Sequence, residues 1–172
     1  MTADEMILDL PCSCDFGTKK NAKGVKETWK GYKLHIDSTD HGIPVSAVLT
    51  SASTHDSQAA IPLEVLTNEK CTSLYTLMDA GYVSCDIDYF IRELGKIPVM
   101  APKKPRGGEL IPLDPVKKER FKARTVVERV NARIKDDFAG TSFRVKGGMK
   151  VFSHLMLGLT ALAAEQIARH LM

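Results

Sequence analysis

The sequence predicts an α/β protein built on a mixed sheet with flanking helices, and three observations carry that prediction. Short runs of β-branched and aromatic residues recur along the first hundred positions, segments of helical period separate them, and the order reads hairpin, helix, strand, helix, strand, helix. A hairpin is antiparallel, whereas strands joined through helices run parallel, so the sheet mixes both senses. With 172 residues, 44% of them hydrophobic, the chain suits one domain with a substantial core, and residues 1–172 are read as that single domain.

Residues 1–28 read as an irregular approach segment. The first ten residues have no clear period, and residues 11–24 are rich in turn formers and Lys. Residues 29–36 and 43–51 are β-rich runs on either side of Asp40, His41 and Gly42, a hairpin signature. Residues 53–57 offer N-caps ahead of Ala60, Ile61, Leu63, Val65 and Leu66, which predicts a helix ending near Asn68. Residues 73–78 have the pattern of a buried strand, and it stops at Asp79. Residues 84–94 place Ile87, Phe90, Ile91 and Leu94 at helical spacing with Gly95 as the cap, and residues 97–101 form a further strand. Residues 102–115 are a Pro-, Gly- and Lys-rich loop of a length that suits an active-site loop. A helix carrying Glu128 follows, then a turn at Gly140. The terminal apolar segment, residues 151–172, is interrupted by His154, Glu165 and Arg169, so it reads as a buried helix and not a membrane span.

The net charge of +3 conceals a division. Residues 1–101 carry 9 Lys and Arg against 14 Asp and Glu, whereas residues 102–150 carry 14 against 6. The basic C-terminal part calls for an anionic partner, with nucleic acid the foremost candidate. Cys12, Cys14, Cys71 and Cys85 include no CxxC pair and no secretory leader opens the chain, so reduced cytosolic thiols are expected, without a disulfide framework or a zinc site.

On a helix of roughly 100° per residue, with Phe121 at zero, Arg124 falls near 300°, Glu128 near 340° and Lys135 near 320°. One face therefore holds a carboxylate among cations. Ala123, Val127, Val130, Ile134 and Phe138 fall between about 180° and 260° and supply the core-facing stripe. Asp79 closes a strand, at the end of a sheet where ligands gather in α/β folds. Two carboxylates from different elements can hold hard divalent cations, Mg²⁺ or Mn²⁺, and a pair of such ions about 4 Å apart stabilises the attacking and leaving oxygens of a phosphodiester. Arg124 and Lys135 would then grip flanking phosphates, and Lys103, Lys104 and Arg106 would touch DNA backbone.

These residues carry a family resemblance. Phe121-x2-Arg124-x3-Glu128-x6-Lys135 resembles the Tyr-Arg-Glu-Lys signature of bacterial insertion-sequence DDE transposases, with Phe in place of Tyr. Asp79-Ala-Gly-Tyr82 is similar to the family's motif around its second catalytic aspartate, and Trp29-Lys-Gly-Tyr-Lys-Leu-His35 and Ser53-Thr-His-Asp-Ser57 extend the likeness over most of the chain. The resemblance implies a ribonuclease-H-like fold and two divalent ions held by Asp, Asp and Glu, with Asp79 the second acid and Glu128 the third. It implies cleavage and transfer of DNA strands at terminal repeats by copies assembled on DNA, in the bacterial cytoplasm at the nucleoid, with no membrane role.

The family's first Asp lies on a strand ahead of the hairpin, where this chain shows only the irregular segment. The expectation is a sheet lacking its first strand, with the first Asp upstream of Met1 and the isolated chain inactive. Asp9 is the best internal substitute if its stretch forms a strand; Asp15 is next, and Asp37 on the hairpin lies too far from the expected position. His55 is expected to cap a helix and Trp29 to pack on the hairpin. Two other readings compete: a non-catalytic DNA-binding remnant, whose affinity would ignore Mg²⁺, and a ribonuclease-H-like nuclease, which would not be confined to one repeat sequence.

Overall fold

The computed structural model describes residues 1–20, 24–102, 107–109, 112–138 and 144–172. The call on Lys103, Lys104 and Arg106 and the turn at Gly140 lie outside the described residues.

The first 28 residues are more regular than expected. Helix α1 (Ala3–Asp9) begins at Thr2, whose hydroxyl accepts from the Glu5 N–H while the Glu5 carboxylate accepts from the Thr2 N–H. That reciprocal pair starts a helix without any apolar period. Strand β1 (Asp15–Lys20) pairs antiparallel with the first half of β2 (Lys26–Ser38), from Asp15 opposite Gly31 to Lys20 opposite Lys26. At Gly17 the backbone passes so close to the Trp29 indole that a Cβ would collide with the ring, so Trp29 packs on the ladder as expected of a hairpin aromatic.

The predicted hairpin is β2 with β3 (Pro44–Ser51), in register from Tyr32 opposite Ser51 to Ser38 opposite Pro44. Its turn uses Gly42 at a φ of +78°, a conformation few side chains accept. The pleat sends Ile36, Ala47 and Leu49 to one face, against Val130, Ile134, Val151, Leu155 and Leu159. Ser46 faces the opposite way, towards helix α2 (Asp56–Asn68), where it bonds Thr67 and the Leu63 carbonyl.

Strands β4 (Tyr75–Met78) and β5 (Ile97–Met100) pair in parallel through helix α3 (Cys85–Glu93). Ala60, Ile87 and Ile91 form the core beneath them. The architecture is mixed α/β, as the sequence predicts, but among the described residues the strands form two sheets, ordered β1-β2-β3 and β4-β5. No ladder joins β2 to β4.

The helix of the basic part is segmented: α4 (Pro115–Phe121), a 3₁₀ turn (Lys122–Arg124), α5 (Thr125–Arg133) and a π turn (Ile134–Phe138). Tighter and looser turns rotate the face relative to a uniform helix. Val126, Val130 and Ile134 are buried while Ala123 is exposed, so the apolar stripe starts at Val126 and not at Ala123. Helix α6 (Gly148–Leu171) is long and apolar enough to cross a membrane. It lays Val151, Leu155, Leu159 and Leu162 on the β2-β3 core, tied to α5 by an Arg133–Glu165 ion pair at 2.7 Å.

Candidate active site

Asp79 is the residue at which β4 ends. Its Oδ1 accepts the Ala80 N–H at 2.7 Å, which caps a 3₁₀ turn (Ala80–Tyr82) and leaves Oδ2 turned outward. Glu128 lies on the first turn of α5, four residues after Arg124, so the two meet across one helical turn. Arg124 Nη1 lies 2.9 Å from Glu128 Oε1 and 3.6 Å from Asp79 Oδ2. Both carboxylates therefore converge on one nitrogen, which bounds their separation at the sum of those distances. Both are more than half exposed, at 59% and 56%, while the guanidinium is 25% exposed. The Arg124 guanidinium also lies over the Phe121 ring, 5.4 Å from its centroid. Lys135 stands exposed on the π turn, nearly two turns farther on.

The donor set is two exposed carboxylates around a point already taken by a cation. That fits one hard divalent ion completed by water or phosphate oxygens. Among the described residues no group of three acidic, His or Cys side chains is placed to hold a metal. Asp9, the favoured internal substitute, ends helix α1 and lies on no strand, because the capping box commits its stretch to a helix. Asp15 opens β1, where its carboxylate accepts from the Ser53 backbone and hydroxyl. Neither lines the groove that holds Asp79 and Glu128. Asp37, on β2, does. Its carboxyl accepts from Thr67 Oγ1 at 2.7 Å, and burial raises its pKa in spite of that bond.

Behind the Asp79 turn, residues of three family-like motifs meet, Lys33 and His35, Asp56, and Tyr82, although no motif by itself predicts their contacts. Tyr82, which closes the turn, places its hydroxyl 3.3 Å from His35 Nδ1, and His35 Nε2 lies 3.0 Å from Thr50 Oγ1. Thr50 donates to the Ser51 carbonyl, so its oxygen accepts from Nε2–H and Nδ1 is left to accept from Tyr82. Burial drives the His35 pKa down to about 4 and the Tyr82 hydroxyl upward, which keeps the whole chain of bonds neutral. Lys33 spans the Thr54 carbonyl at 2.6 Å and Asp56 Oδ1 at 2.9 Å, and the Asp56 carboxylate packs over Gly81, where a Cβ would sit 3.2 Å from Oδ2. His55 caps α2 by accepting from the Ser57 N–H, as expected.

The site is thus an acidic pair at a strand end, faced by a helical stretch that supplies Arg124. The family model for the transposase DDE domain matches residues 13–164, and the chain belongs to that family. The match is consistent with an insertion-sequence DDE transposase. No curated protein and no solved structure matches the chain.

Proposed function

We propose that this chain is the catalytic domain of an insertion-sequence transposase, a ribonuclease-H-like fold over residues 1–172, in which Asp79 and Glu128 are the second and third acids of a two-metal site. The observation that supports it best is the convergence of those carboxylates, 49 residues apart in sequence, on one guanidinium nitrogen. Membership of a DDE family makes DNA the substrate and phosphodiester cleavage the reaction class. Mg²⁺ or Mn²⁺ held by Asp79 and Glu128 would supply charge stabilisation at the attacking and leaving oxygens.

The chain's own residues do the rest. The Ala80 N–H and the Tyr82–His35 bond hold Asp79 outward in one orientation. Phe121, Arg124 and Lys135, on successive segments of one helical stretch, present a ring and two cations to the DNA backbone, and Arg129 between them in sequence is exposed. Copies of the chain assembled on terminal repeats at the nucleoid complete the reading. The expected outcome for the 172-residue chain alone is DNA binding without strand cleavage.

One observation favours a second reading, a DNA-binding remnant without metal chemistry: Arg124 lies within ion-pair distance of both acids, at the point a metal would take. Mn²⁺ titration followed by electron paramagnetic resonance separates the two. A saturable site weakened at least about tenfold by Asp79→Asn and by Glu128→Gln supports the first. DNA affinity that follows salt but ignores Mg²⁺ and both substitutions supports the second.

A further inference from the structure

The acidic balance of residues 1–101 conceals a basic island. Six of their nine Lys and Arg fall within residues 16–33, where Glu27 is the single acid. That stretch is the two-stranded ribbon of β1 with the first half of β2. Thr18, Lys19, Val25, Lys26, Glu27 and Thr28 are all exposed, so the outer half of the ribbon stands clear of the body. The pairing sets Lys26, Thr28 and Lys30 on one face, with Thr18 opposite Thr28 and Phe16 opposite Lys30. Lys30 Nζ lies 5.6 Å from the centroid of the Phe16 ring, which is itself 63% exposed. The other face is closed at its base by Trp29 over Gly17. Glu27 meets Lys19 at 3.6 Å, an exposed pair worth little in water, so the ribbon keeps a strong positive field.

We infer that this ribbon is a second DNA-binding surface, separate from the helical stretch of Arg124 and Lys135, which lies along the backbone of the duplex flanking the bond to be cut. The inference rests on the transposase reading for the identity of the polyanion. An isolated two-stranded ribbon is marginal by itself, and its exposed outer half buries no core, so the fold gains little from so many like charges there. Duplex DNA matches them. Ammonium groups on flexible stems meet phosphates as point charges without regard to sequence, and threonine hydroxyls donate to the same oxygens. The six residues of β1 extend about 20 Å at about 3.4 Å per residue, more than half of a duplex turn of roughly 34 Å, so the ribbon can follow several successive phosphates. Its base adjoins the acids. Asp56 lines a hollow of about 320 Å³ together with Phe16, Thr18 and Lys33, and it also packs over Gly81 in the turn that Asp79 begins.

The test titrates the 172-residue chain, in EDTA, against a fluorescent duplex of unrelated sequence and reads anisotropy over a range of salt. Lys19→Gln, Lys26→Gln and Lys30→Gln combined are expected to weaken binding at least about tenfold and to lower the slope of log affinity against log salt by about 3, close to one for each lost charge. Lys→Arg at the same three positions is expected to keep both at the parent's values, and both variants to keep the parent's circular dichroism spectrum. Thr28→benzoylphenylalanine is expected to cross-link to the duplex under ultraviolet light. Parental affinity and slope in the Gln variant, or no DNA cross-link from position 28, overturns the inference. A parallel variant, Arg129→Gln with Lys135→Gln, separates it from the reading it rests on. Loss of binding there with none in the ribbon variant overturns the ribbon's role alone, whereas loss in neither, or no binding by the parent chain, overturns DNA binding as a whole.

Discussion

At the scale of single residues, His35 makes the sharpest prediction. Its folded pKa of about 4 lies below the ordinary 6.5, so as pH falls the unfolded chain takes up a proton first. The stability contributed by the neutral imidazole is complete above about pH 6.5 and is lost progressively towards about pH 4, on the order of 3 kcal/mol in all. Urea midpoints taken at about pH 7 and about pH 5 should therefore diverge in the parent chain and draw together in His35→Gln; an unchanged divergence in the variant removes His35 from the account. Lys96 and Glu64 form an ion pair at 2.7 Å with side chains only 3% and 4% exposed, and Glu64 also accepts from Thr76. Lys96→Met strands a buried carboxylate and should cost about 3–5 kcal/mol. Changing Glu64→Leu in the same chain should recover most of that loss in chemical denaturation, because no unpaired charge remains.

At the scale of elements, the helices lend themselves to a truncation test. Ile91 on α3 is fully buried beneath β4 and β5, and Ile91→Ala should lower unfolding free energy by about 2–5 kcal/mol. Elements with a strong local period were legible in the sequence. The hairpin of β2 and β3 follows from β-branched runs around Gly42, and α2, β4, α3 and β5 follow from apolar spacing and caps, each within two or three residues of its position. Helix α1 carried a signal that went unread, since Thr2-Ala-Asp-Glu5 is the capping-box pattern itself. Strand β1 carried none. Asp-Phe-Gly-Thr-Lys-Lys has no alternation, and it is a strand because β2 offers an edge and Trp29 covers Gly17. The 3₁₀ and π turns around α5 were equally silent. The likeness to a transposase signature names Asp79, Arg124 and Glu128, but the contact between His35 and Tyr82 joins residues 47 apart and is set by the tertiary fold, not by any local pattern.

At the scale of the whole molecule, acid and base are segregated along the sequence, and the basic surface is the one proposed to meet DNA. Lys118, Arg129, Lys135, Lys146 and Lys150 are exposed along one stretch of sequence. Removing Arg129 and Lys135 together should weaken binding to unrelated DNA sequences alike and reduce the slope of log affinity against log salt by about 2, whereas a sequence-selective loss would place them on bases. Division of the strands into two sheets has its own consequence for the clock on which the molecule breathes. A parallel ladder of four residues on each side, held by α2, α3 and the Arg120–Tyr75 contact of α4, rests on a smaller buried cluster than the β2-β3 ladder, so it should open as a unit well before that ladder does. Asp79 terminates the faster-opening piece, and Glu128 rides on a helix packed against the slower one. The acids that meet at Arg124 thus belong to parts with different lifetimes, and their meeting is only as persistent as the shorter of the two.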